Sequence, residues 1–355
     1  MHYLGIDIGK DHCAVHRLDE QGTTTETFSI DNDPAGYQDL ADRLDEPAHI
    51  AMEACSYTMP VYERFRNTMH EVTVAHPRKV SLITENEHKT DAADAEILAD
   101  LARVGYLPEA YLPTPTVLEV REVARERREV GEQLTQQKNQ IRSMLDKHGI
   151  EIPFPGRSLW TDKGLEWLKE PTFHDNRDDL LKARVIQLET LEERKDLIEP
   201  ILANMAVEDE RSHFLMSIPG CRWYLAMYIL GEVGTIDRFE TVANFKSYSK
   251  CCPKESSTGG RQDPYGVVQH GHSGLKWAFE LIAETLVRYE DNPIKGKYAS
   301  RKADTGHHGK AMAVARREVC ELVYWLLTKQ ETCNWADPGL LDRKLSEARR
   351  LADVG

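Results

Sequence analysis

Four acidic residues in the first hundred positions have the types and settings that bind divalent metal ions. Asp7 interrupts the apolar run of the first predicted strand, and Glu53 directly follows the apolar residues 50–52. Asp91 and Asp94 are three residues apart at the start of a predicted helix, so their carboxylates share one helix face. A carboxylate in such an apolar run costs several kcal/mol unless it is paired or binds a cation. We therefore interpret the four acids as candidate metal ligands and candidate catalytic residues.

The chemistry that these carboxylates favour is phosphoryl transfer assisted by hard cations. Mg²⁺ prefers oxygen ligands and usually binds through few carboxylates plus the phosphate of the substrate. Two such ions about 4 Å apart activate the attacking oxygen and stabilise the leaving one. Each acid alone has an ordinary explanation, as a turn residue, a salt-bridge partner or a helix cap. Taken together they predict a site for two Mg²⁺ ions, with Mn²⁺ as a substitute.

The elements that would position these acids form an α/β domain over residues 1–110. Short apolar or alternating runs predict strands at 3–9, 13–19, 23–30, 49–54 and 71–76. Helical spacing predicts helices at 33–44, 59–70 and 90–104. Three strands in a meander, followed by alternating helices and strands, are the order of the ribonuclease H-like fold. In that fold, acids on the first strand, the fourth strand and the last helix bind two metal ions.

The middle of the chain, residues 111–208, is predicted to be a helical hairpin or coiled coil. Two prolines in 109–116 indicate a linker, and apolar residues then recur by threes, fours and sevens over 117–148 and 181–205. The seam along these helices is either core within the chain or an arm for dimerisation. Pro200 is expected to kink or end the second helix.

The remainder of the chain is predicted to be mainly α-helical. Residues 217–239 show a turn, an apolar helix and a second turn, and 251–274 form a long loop rich in Gly, Ser, Pro and Cys. Two helices are expected at 275–289 and 310–330. We assign 209–335 to a C-terminal domain and 336–355 to a polar tail.

Several stretches of the sequence together resemble the DEDD-type insertion-sequence transposases. They are GIDIGKD (5–11), ME-A-x-x-Y (52–57), HKTDAADAEILA (88–99), Asn139-Gln140-Ile141, IPG…GEVG…RF (218–239) and the basic segment 297–319. The KTDxxDAxxLA string is the most specific of these, and the order is that of the family over essentially the whole chain. The resemblance implies an N-terminal domain similar to the RuvC resolvase. It also implies a homodimer or dimer of dimers and a structured guide RNA encoded by the element.

The family also carries a nucleophilic serine before a glycine in a loop of its C-terminal domain. The corresponding stretch here is 253–277, where Thr258 directly precedes Gly259 and two serines, Ser256 and Ser257, come before it. A serine hydroxyl that attacks a DNA phosphate makes a covalent link and splits strand transfer into two steps. We favour Ser257, because the secondary hydroxyl of threonine is a more hindered nucleophile. The Lys and Arg that the family places after this loop are replaced by Gln269 and Lys276.

One strongly basic segment could meet nucleic acid. Between positions 295 and 317 the only acid is Asp304, and the predicted contacts are Lys295, Lys297, Arg301, Lys302, Lys310, Arg316 and Arg317. A second group of arginines at 121–128 alternates with glutamates, which is typical of a solvated helix face with salt bridges.

The overall charge limits how the protein could bind nucleic acid. The 355 residues carry 59 acids against 45 Lys and Arg, a formal net charge of -14, which argues against binding through the whole surface. No long apolar segment or secretory signal occurs, and the seven cysteines lack CxxC spacing. We expect a cytoplasmic protein with reduced thiols, no membrane partner and no structural zinc.

These observations predict a DNA transposase or recombinase that uses two Mg²⁺ ions and a serine nucleophile. The alternative keeps the fold but changes the reaction to metal-assisted hydrolysis of branched DNA by a RuvC-like endonuclease. A covalent protein–DNA intermediate distinguishes the two, because only the first forms one.

Overall fold

The chain folds into two compact units, Met1–Leu112 and Pro113–Gly355, in a computed structural model. The structure describes residues 1–83, 90–156, 158–170, 172–252, 271–290 and 292–353. The first unit is α/β and the described part of the second is mostly α-helical, as the sequence predicts. The finer subdivision of the second unit at 208 and 335 stays a prediction.

The first unit is built on a five-stranded sheet in the order β3-β2-β1-β4-β5. Its strands are β1 (His2–Ile8), β2 (His12–Leu18), β3 (Thr24–Asp31), β4 (Ala48–Glu53) and β5 (Glu71–Ala75). The first three are antiparallel neighbours, whereas β4 is parallel to both β1 and β5. All five predicted strands are confirmed within one residue at each end. In each of them, the apolar run or the apolar–polar alternation in the sequence stops where the strand itself stops.

Helices cover both faces of this sheet. On one face, α1 (Pro34–Asp42) and α2 (Thr58–Phe65) pack Leu40, Val61 and Phe65 against Leu4, Ile6, Ile50 and Met52 of the central strands. On the other face, α3 (Pro77–Ile83) and α4 (Asp91–Arg103) pack Val80, Leu98 and Ala102 near Ala51 and Ala75. The sequence did not predict α3, which is short and buries only Val80. Two separate apolar layers result, one on each side of the sheet.

Two long helices dominate the second unit. They are α5 (Pro115–Lys147) and α7 (Arg177–Glu208), with the short α6 (Asp162–Lys169) between them. Their predicted seam residues are buried, including Leu134, Ile141 and Leu188, in one core shared with the C-terminal helices. The structure therefore supports the interpretation of the seam as core within the chain.

The sequence predicts that Pro200 kinks or ends the second helix, and the expectation of an end is wrong. The helix α7 continues past Pro200 to Glu208. Proline removes one backbone hydrogen bond from the helix interior. Here Ile198, Leu202 and Ala203 are buried on either side of it, and this packing holds the helix through the weakened turn.

The C-terminal part contains three helices that the sequence did not predict. The described helices are α8 (Glu210–Met216), α9 (Trp223–Val233), α10 (Val242–Tyr248), α11 (Ser273–Leu286), α12 (Pro293–Thr305) and α13 (His308–Lys329). The unpredicted ones are α8 and α10, which have only seven residues each, and α12, which buries Ile294 alone and so has no apolar periodicity. Its start is nevertheless capped, because the Asn292 side chain accepts a hydrogen bond from the Lys295 backbone N–H at 2.9 Å.

The expected polar tail is instead a helix docked on the core. In α14 (Leu340–Ala352), Leu345 and Ala348 are buried. Lys344 is 7 % exposed, and its ammonium donates to the carbonyls of Met216, Ile218 and Cys221 at 2.6–2.7 Å. Burial lowers the pKa of Lys344 to about 8. The three carbonyls follow α8, so this lysine closes the end of one helix with a residue from another.

Two expectations about the chain as a whole can be compared with the structure. Among the described residues, no helix has the length and apolar composition needed to cross a membrane. All seven cysteines are among the described residues, and each is a free thiol.

Candidate active site

Two of the four predicted acids lie side by side on the sheet. The register pairs Gly5 with Ala51 and Ile6 with Met52, so the next positions along these parallel strands are Asp7 and Glu53. Neighbouring strands are about 4.8 Å apart. Because side chains alternate along a strand, Asp7 lies on the same face as Gly5, and Glu53 on the same face as Ala51. This is the face that α4 covers.

The helix that carries the other two acids is seated directly on β1. A Cβ atom added to Gly5 would lie 1.8 Å from the carbonyl oxygen of Ala95 and 2.6 Å from the backbone nitrogen of Ala99. No side chain therefore separates this strand from the helix. Asp94 immediately precedes Ala95, and Asp91 lies one turn earlier. The contact at Gly5 thus places the first turn of α4 on the face that carries Asp7 and Glu53.

The start of α4 is fixed by its own sequence. Thr90 is the N-cap, and its hydroxyl accepts a hydrogen bond from the Ala93 backbone N–H at 3.3 Å. Asp91 and Asp94 both lie in the first turn, as predicted, where the helix dipole favours negative charge. Asp91 is exposed and Asp94 is half-buried, so both are reachable by a ligand at this edge of the unit.

The donor set suits Mg²⁺ in its usual mode. All four candidate ligands are carboxylates, which are hard oxygen donors. Over the described ranges, no three His, Cys, Asp or Glu side chains are already gathered as a complete metal cluster. A site that holds Mg²⁺ through few carboxylates and completes its shell with substrate phosphate does not need such a cluster beforehand. The residues present therefore fit Mg²⁺ that binds together with nucleic acid.

The buried thiol of Cys13 does not compete for a metal ion. Burial raises the pKa of the Cys13 thiol to about 11, with smaller contributions from Cys55 and from the negative charge of Asp7. Cys13 therefore stays protonated at neutral pH, and a protonated thiol is neither a nucleophile nor a metal ligand.

The predicted serine nucleophile lies outside the described residues, as do Ser256 and Thr258. The described residues on either side of this segment, Cys252 and Gly271, both lie next to the end of α10. Cys251 donates its backbone N–H to Lys246 at 2.8 Å, and His272 donates to Tyr248 at 2.6 Å. A Cβ on Gly271, whose φ is +116°, would come within 3.0 Å of three backbone atoms of Ser247–Lys250.

A buried carboxylate anchors the residue that follows this segment. Glu232 is 2 % exposed and receives two hydrogen bonds from Arg125, at 2.7 and 2.8 Å. His272 lies 3.2 Å from the same carboxylate through Nε2, while its Nδ1 accepts the Leu275 backbone N–H and caps α11. Both ring nitrogens are therefore engaged, and His272 fixes the position of the chain here.

The Glu232 cluster predicts an acid-sensitive second unit. Burial alone raises the pKa of Glu232, but hydrogen bonds from His272 and Arg125 outweigh it and lower the pKa to about 2. The stabilisation is thus complete above the ordinary Glu pKa and is lost as pH falls towards about 2. We expect Glu232→Gln to lower the free energy of unfolding by about 2 kcal/mol at pH 7. Tryptophan-monitored urea unfolding measures this, with the exposed Glu240→Gln as control, and equal stability of the two variants would contradict it.

The arginines at 121–128 are engaged within the chain. Arg121 donates to the Gly231 carbonyl at 2.8 Å, and Arg127 bonds Glu199 at 2.6 and 2.9 Å. Arg128 contacts the hydroxyl of Tyr228 at 2.6 Å and lies over the Trp277 ring. This face is therefore not simply solvated, since its arginines join α5 to α7, α9 and α11.

The predicted basic segment lies on α12 and α13 and divides into two groups. Arg316 and Arg317 are half-buried and contact Glu280 and the Cys251 carbonyl, while Lys295 donates to the Tyr289 carbonyl. The other members, Lys297, Arg301, Lys302 and Lys310, lie on α12 or in the first turn of α13. Lys297 pairs with Glu318 at 2.5 Å but keeps 57 % of its side chain exposed. Lys302 is also exposed, whereas Arg301 and Lys310 are half-buried, so Lys297 and Lys302 are the members of this outer group best placed to meet an external phosphate.

Comparison with known families agrees with the order of these features along the chain. A family model described as "Transposase", for the DEDD transposases of IS110-type elements, matches residues 4–150. A second, described as "Transposase IS116/IS110/IS902 family", matches residues 212–299. This chain belongs to the DEDD-type insertion-sequence transposases. The two matches cover about two thirds of the transposase, including all four acids and the serine segment.

Full-length relatives show the same relationship. The transposase is 23 % identical over 332 residues to the transposase for insertion sequence element IS1111A of Coxiella burnetii, covering 93 % of this chain and 90 % of the relative. It is 23 % identical over 343 residues to the transposase for IS1328 of Yersinia enterocolitica, covering 93 % and 97 %. The resemblance predicted from the sequence is thus confirmed, and the enzyme is a DNA transposase.

Two structural features of the site could not be predicted from the sequence. The close approach at Gly5 depends on the backbone of α4, ninety residues away, and a glycine after a tyrosine and a leucine gives no local sign of it. Thr58, which is 2 % exposed and bonds the Glu53 carbonyl and the Cys55 backbone N–H, resembles any helix-start threonine in the sequence. Only the alternation of the strands could have indicated which face the acids share.

Proposed function

We propose that the transposase cleaves and rejoins DNA strands with a two-metal carboxylate site and a serine nucleophile. Asp7, Glu53, Asp91 and Asp94 would hold two Mg²⁺ ions, or Mn²⁺ in their place, in a domain of the ribonuclease H-like, RuvC-like type. The bound ions would supply charge stabilisation for phosphoryl transfer. The observation that carries this proposal is the register that sets Asp7 beside Glu53 on the face against which α4 packs.

The strand order supports this assignment of the domain. Three antiparallel strands followed by two strands parallel to the first, with helices on both faces, match the topology expected for a ribonuclease H-like fold. In such a sheet the acids at the end of the first and fourth strands are adjacent. The order of the elements and the spacing of the acids are thus consistent with each other.

The serine would make strand transfer reversible. The Oγ of Ser257 attacks a backbone phosphorus, one sugar oxygen leaves as a hydroxyl, and the proton of the serine is lost to a base. The phosphoserine bond keeps the phosphate activated, so a hydroxyl of another strand can displace the serine and restore its proton. Direct hydrolysis would instead transfer the phosphate to water, and the strand could then no longer be rejoined in this way.

Mapping a covalent protein–DNA adduct tests the nucleophile. We expect the enzyme with labelled DNA to give an adduct in Mg²⁺ but not in EDTA, with the DNA attached to Ser257 by mass spectrometry. Ser257→Ala should abolish the adduct, while Ser256→Ala serves as the matched control. An adduct on Ser256 or Thr258 would contradict the assignment of Ser257.

The partners proposed for the enzyme follow from the family and from its charge. DNA ends, a DNA target and a structured guide RNA would bind to a homodimer or dimer of dimers that acts on the nucleoid in the cytoplasm. The candidate contacts are the outer lysines and arginines of α12 and the start of α13. With a net charge of -14, such binding would depend on base pairing and shape as well as on phosphate contacts.

A second candidate function is supported by the altered serine segment. Thr258 and Gln269 stand where the family has serine and lysine. A RuvC-like endonuclease that hydrolyses branched DNA would need the four acids but no serine. Normal cleavage by Ser257→Ala, with no covalent protein–DNA adduct in the wild type, would favour this alternative.

A further inference from the structure

The backbone that follows Glu53 is held by one buried hydroxyl. Glu53 is the last residue of β4, and the chain then turns into α2. Thr58 Oγ1 donates to the Glu53 carbonyl at 2.8 Å and accepts the Cys55 backbone N–H at 2.7 Å. With Thr58 only 2 % exposed, water cannot readily replace either bond.

A similar arrangement follows the neighbouring acid. Two residues after Asp7 the chain turns at Gly9, and the Asn32 side-chain amide donates to the carbonyls of Gly9 and Lys10 at 2.8 and 3.2 Å. Tyr37, which is buried, donates its hydroxyl to the Asn32 oxygen. The Cys55 sulfur lies 3.9 Å from the Ile8 carbonyl, so the two turns adjoin.

From this geometry we infer that Thr58 is a positioning residue for Glu53 as a metal ligand. Strand hydrogen bonding ends one residue after Glu53, where the Ala54 N–H donates to the Ala75 carbonyl at 3.0 Å. The direction of the Glu53 Cα–Cβ bond therefore depends also on the turn that Thr58 closes. Metal ligands require their supporting hydrogen bonds, and loss of one typically weakens metal binding by about 10–100-fold. The inference rests on the proposed metal site and adds a residue that touches neither metal nor DNA.

The chain contains a control that matches the hydroxyl in its bonds, although Thr68 is exposed and Thr58 is buried. Thr68 donates to the Phe65 carbonyl at 2.6 Å and accepts the His70 backbone N–H at 3.3 Å, so it makes the same two kinds of bond. Thr68 lies just before the start of β5, whereas Glu53 lies at the end of β4. Because β4 and β5 are parallel, these two positions are at opposite ends of the strands. Removing this hydroxyl perturbs a turn of the same unit without touching the turn at Glu53.

The test is Mn²⁺ affinity of the full-length protein, measured by electron paramagnetic resonance. We expect Thr58→Val to weaken Mn²⁺ binding at least about tenfold, and both Thr58→Ser and Thr68→Val to bind as the wild type does. DNA cleavage by Thr58→Val should recover when Mn²⁺ is raised, since the acids themselves are intact. If Thr58→Val does not fold, Thr58→Ser and Thr58→Ala provide the same comparison of hydroxyl present and absent.

The outcomes separate this inference from the proposed function. A folded Thr58→Val that binds Mn²⁺ as tightly as the wild type overturns the role of Thr58 and leaves the metal site standing. Equal weakening by Thr58→Val and Thr68→Val also overturns it, because the effect would then be general loosening of the unit. Wild-type protein that binds no Mn²⁺, with or without DNA, overturns the metal site itself.

Discussion

Gly5→Ala should destabilise the first unit and remove DNA cleavage, although it adds only one methyl group. That methyl group would lie 1.8 Å from a backbone oxygen of α4, a contact that no side-chain rotation can relieve. The helix must move away from the sheet, which opens the layer formed by Ala51, Leu98 and Ala102. We expect a loss of at least about 3 kcal/mol in the free energy of unfolding.

The distribution of tryptophan makes this measurement selective. All six tryptophans lie between positions 160 and 335, in the second unit. Tryptophan fluorescence therefore follows the second unit alone, whereas amide hydrogen exchange follows both. Gly5→Ala should accelerate exchange in β1, β4 and α4 and leave the fluorescence transition in place.

Gly105→Ala is the control for this substitution. A Cβ there meets nothing within 4 Å, and its cost comes from a φ of +67° alone, about 1 kcal/mol. Stability of Gly5→Ala equal to that of Gly105→Ala would show that the strand and helix are not in direct contact. Retained stability with lost cleavage would mean that a small shift of α4 is enough to misplace Asp91 and Asp94.

The sequence predicted the elements of the first unit better than their contacts. Strand alternation and apolar runs are local, so β1 to β5 and the start of α4 could be read from neighbouring residues. The need for glycine at position 5 is not local, because it arises from Ala95 and Ala99 on another element. The same holds for Thr58, because its role depends on the hydrogen bond from its hydroxyl to the Glu53 carbonyl, which the local sequence does not reveal.

In the second unit, the errors came from elements stabilised by packing or capping. Pro200 suggested a helix end because local propensity cannot register the buried residues on either side of it. The helix α12 lacks an apolar stripe, so its local signs were Asn292 and Pro293 at its start and Gly306, with a φ of +68°, at its end. The helix at the tail is held by Lys344, which binds three carbonyls 123–128 residues earlier in the chain.

Asp7→Asn should abolish strand cleavage while nucleic-acid binding persists. The substitution keeps the size of the side chain and removes its charge, so a divalent cation loses a ligand at the centre of the site. Metal ions contribute several kcal/mol to phosphoryl transfer, which corresponds to a rate loss of at least about 1000-fold. Cleavage of labelled DNA and gel-shift binding measure the two properties separately. Glu53→Gln should behave in the same way.

The stability of Asp7→Asn gives a second readout that does not depend on DNA cleavage. The free energy of unfolding of the variant in metal-free buffer is the baseline for this readout. With Mn²⁺ at about 100 times its dissociation constant, the wild type should gain about 2.7 kcal/mol and the variant much less. Amide hydrogen exchange in β1 and β4 measures the stability of the first unit both without metal and with Mn²⁺.

Asp42→Asn is the matched control, because this exposed acid ends α1 on the other face of the sheet. It should cleave DNA and respond to Mn²⁺ as the wild type does. Normal cleavage by both Asp7→Asn and Glu53→Gln in Mg²⁺ would refute the two-metal site. Loss of the Mn²⁺ response in Asp7→Asn with cleavage unchanged would mean instead that the ion bound there is structural and that the reaction takes place elsewhere.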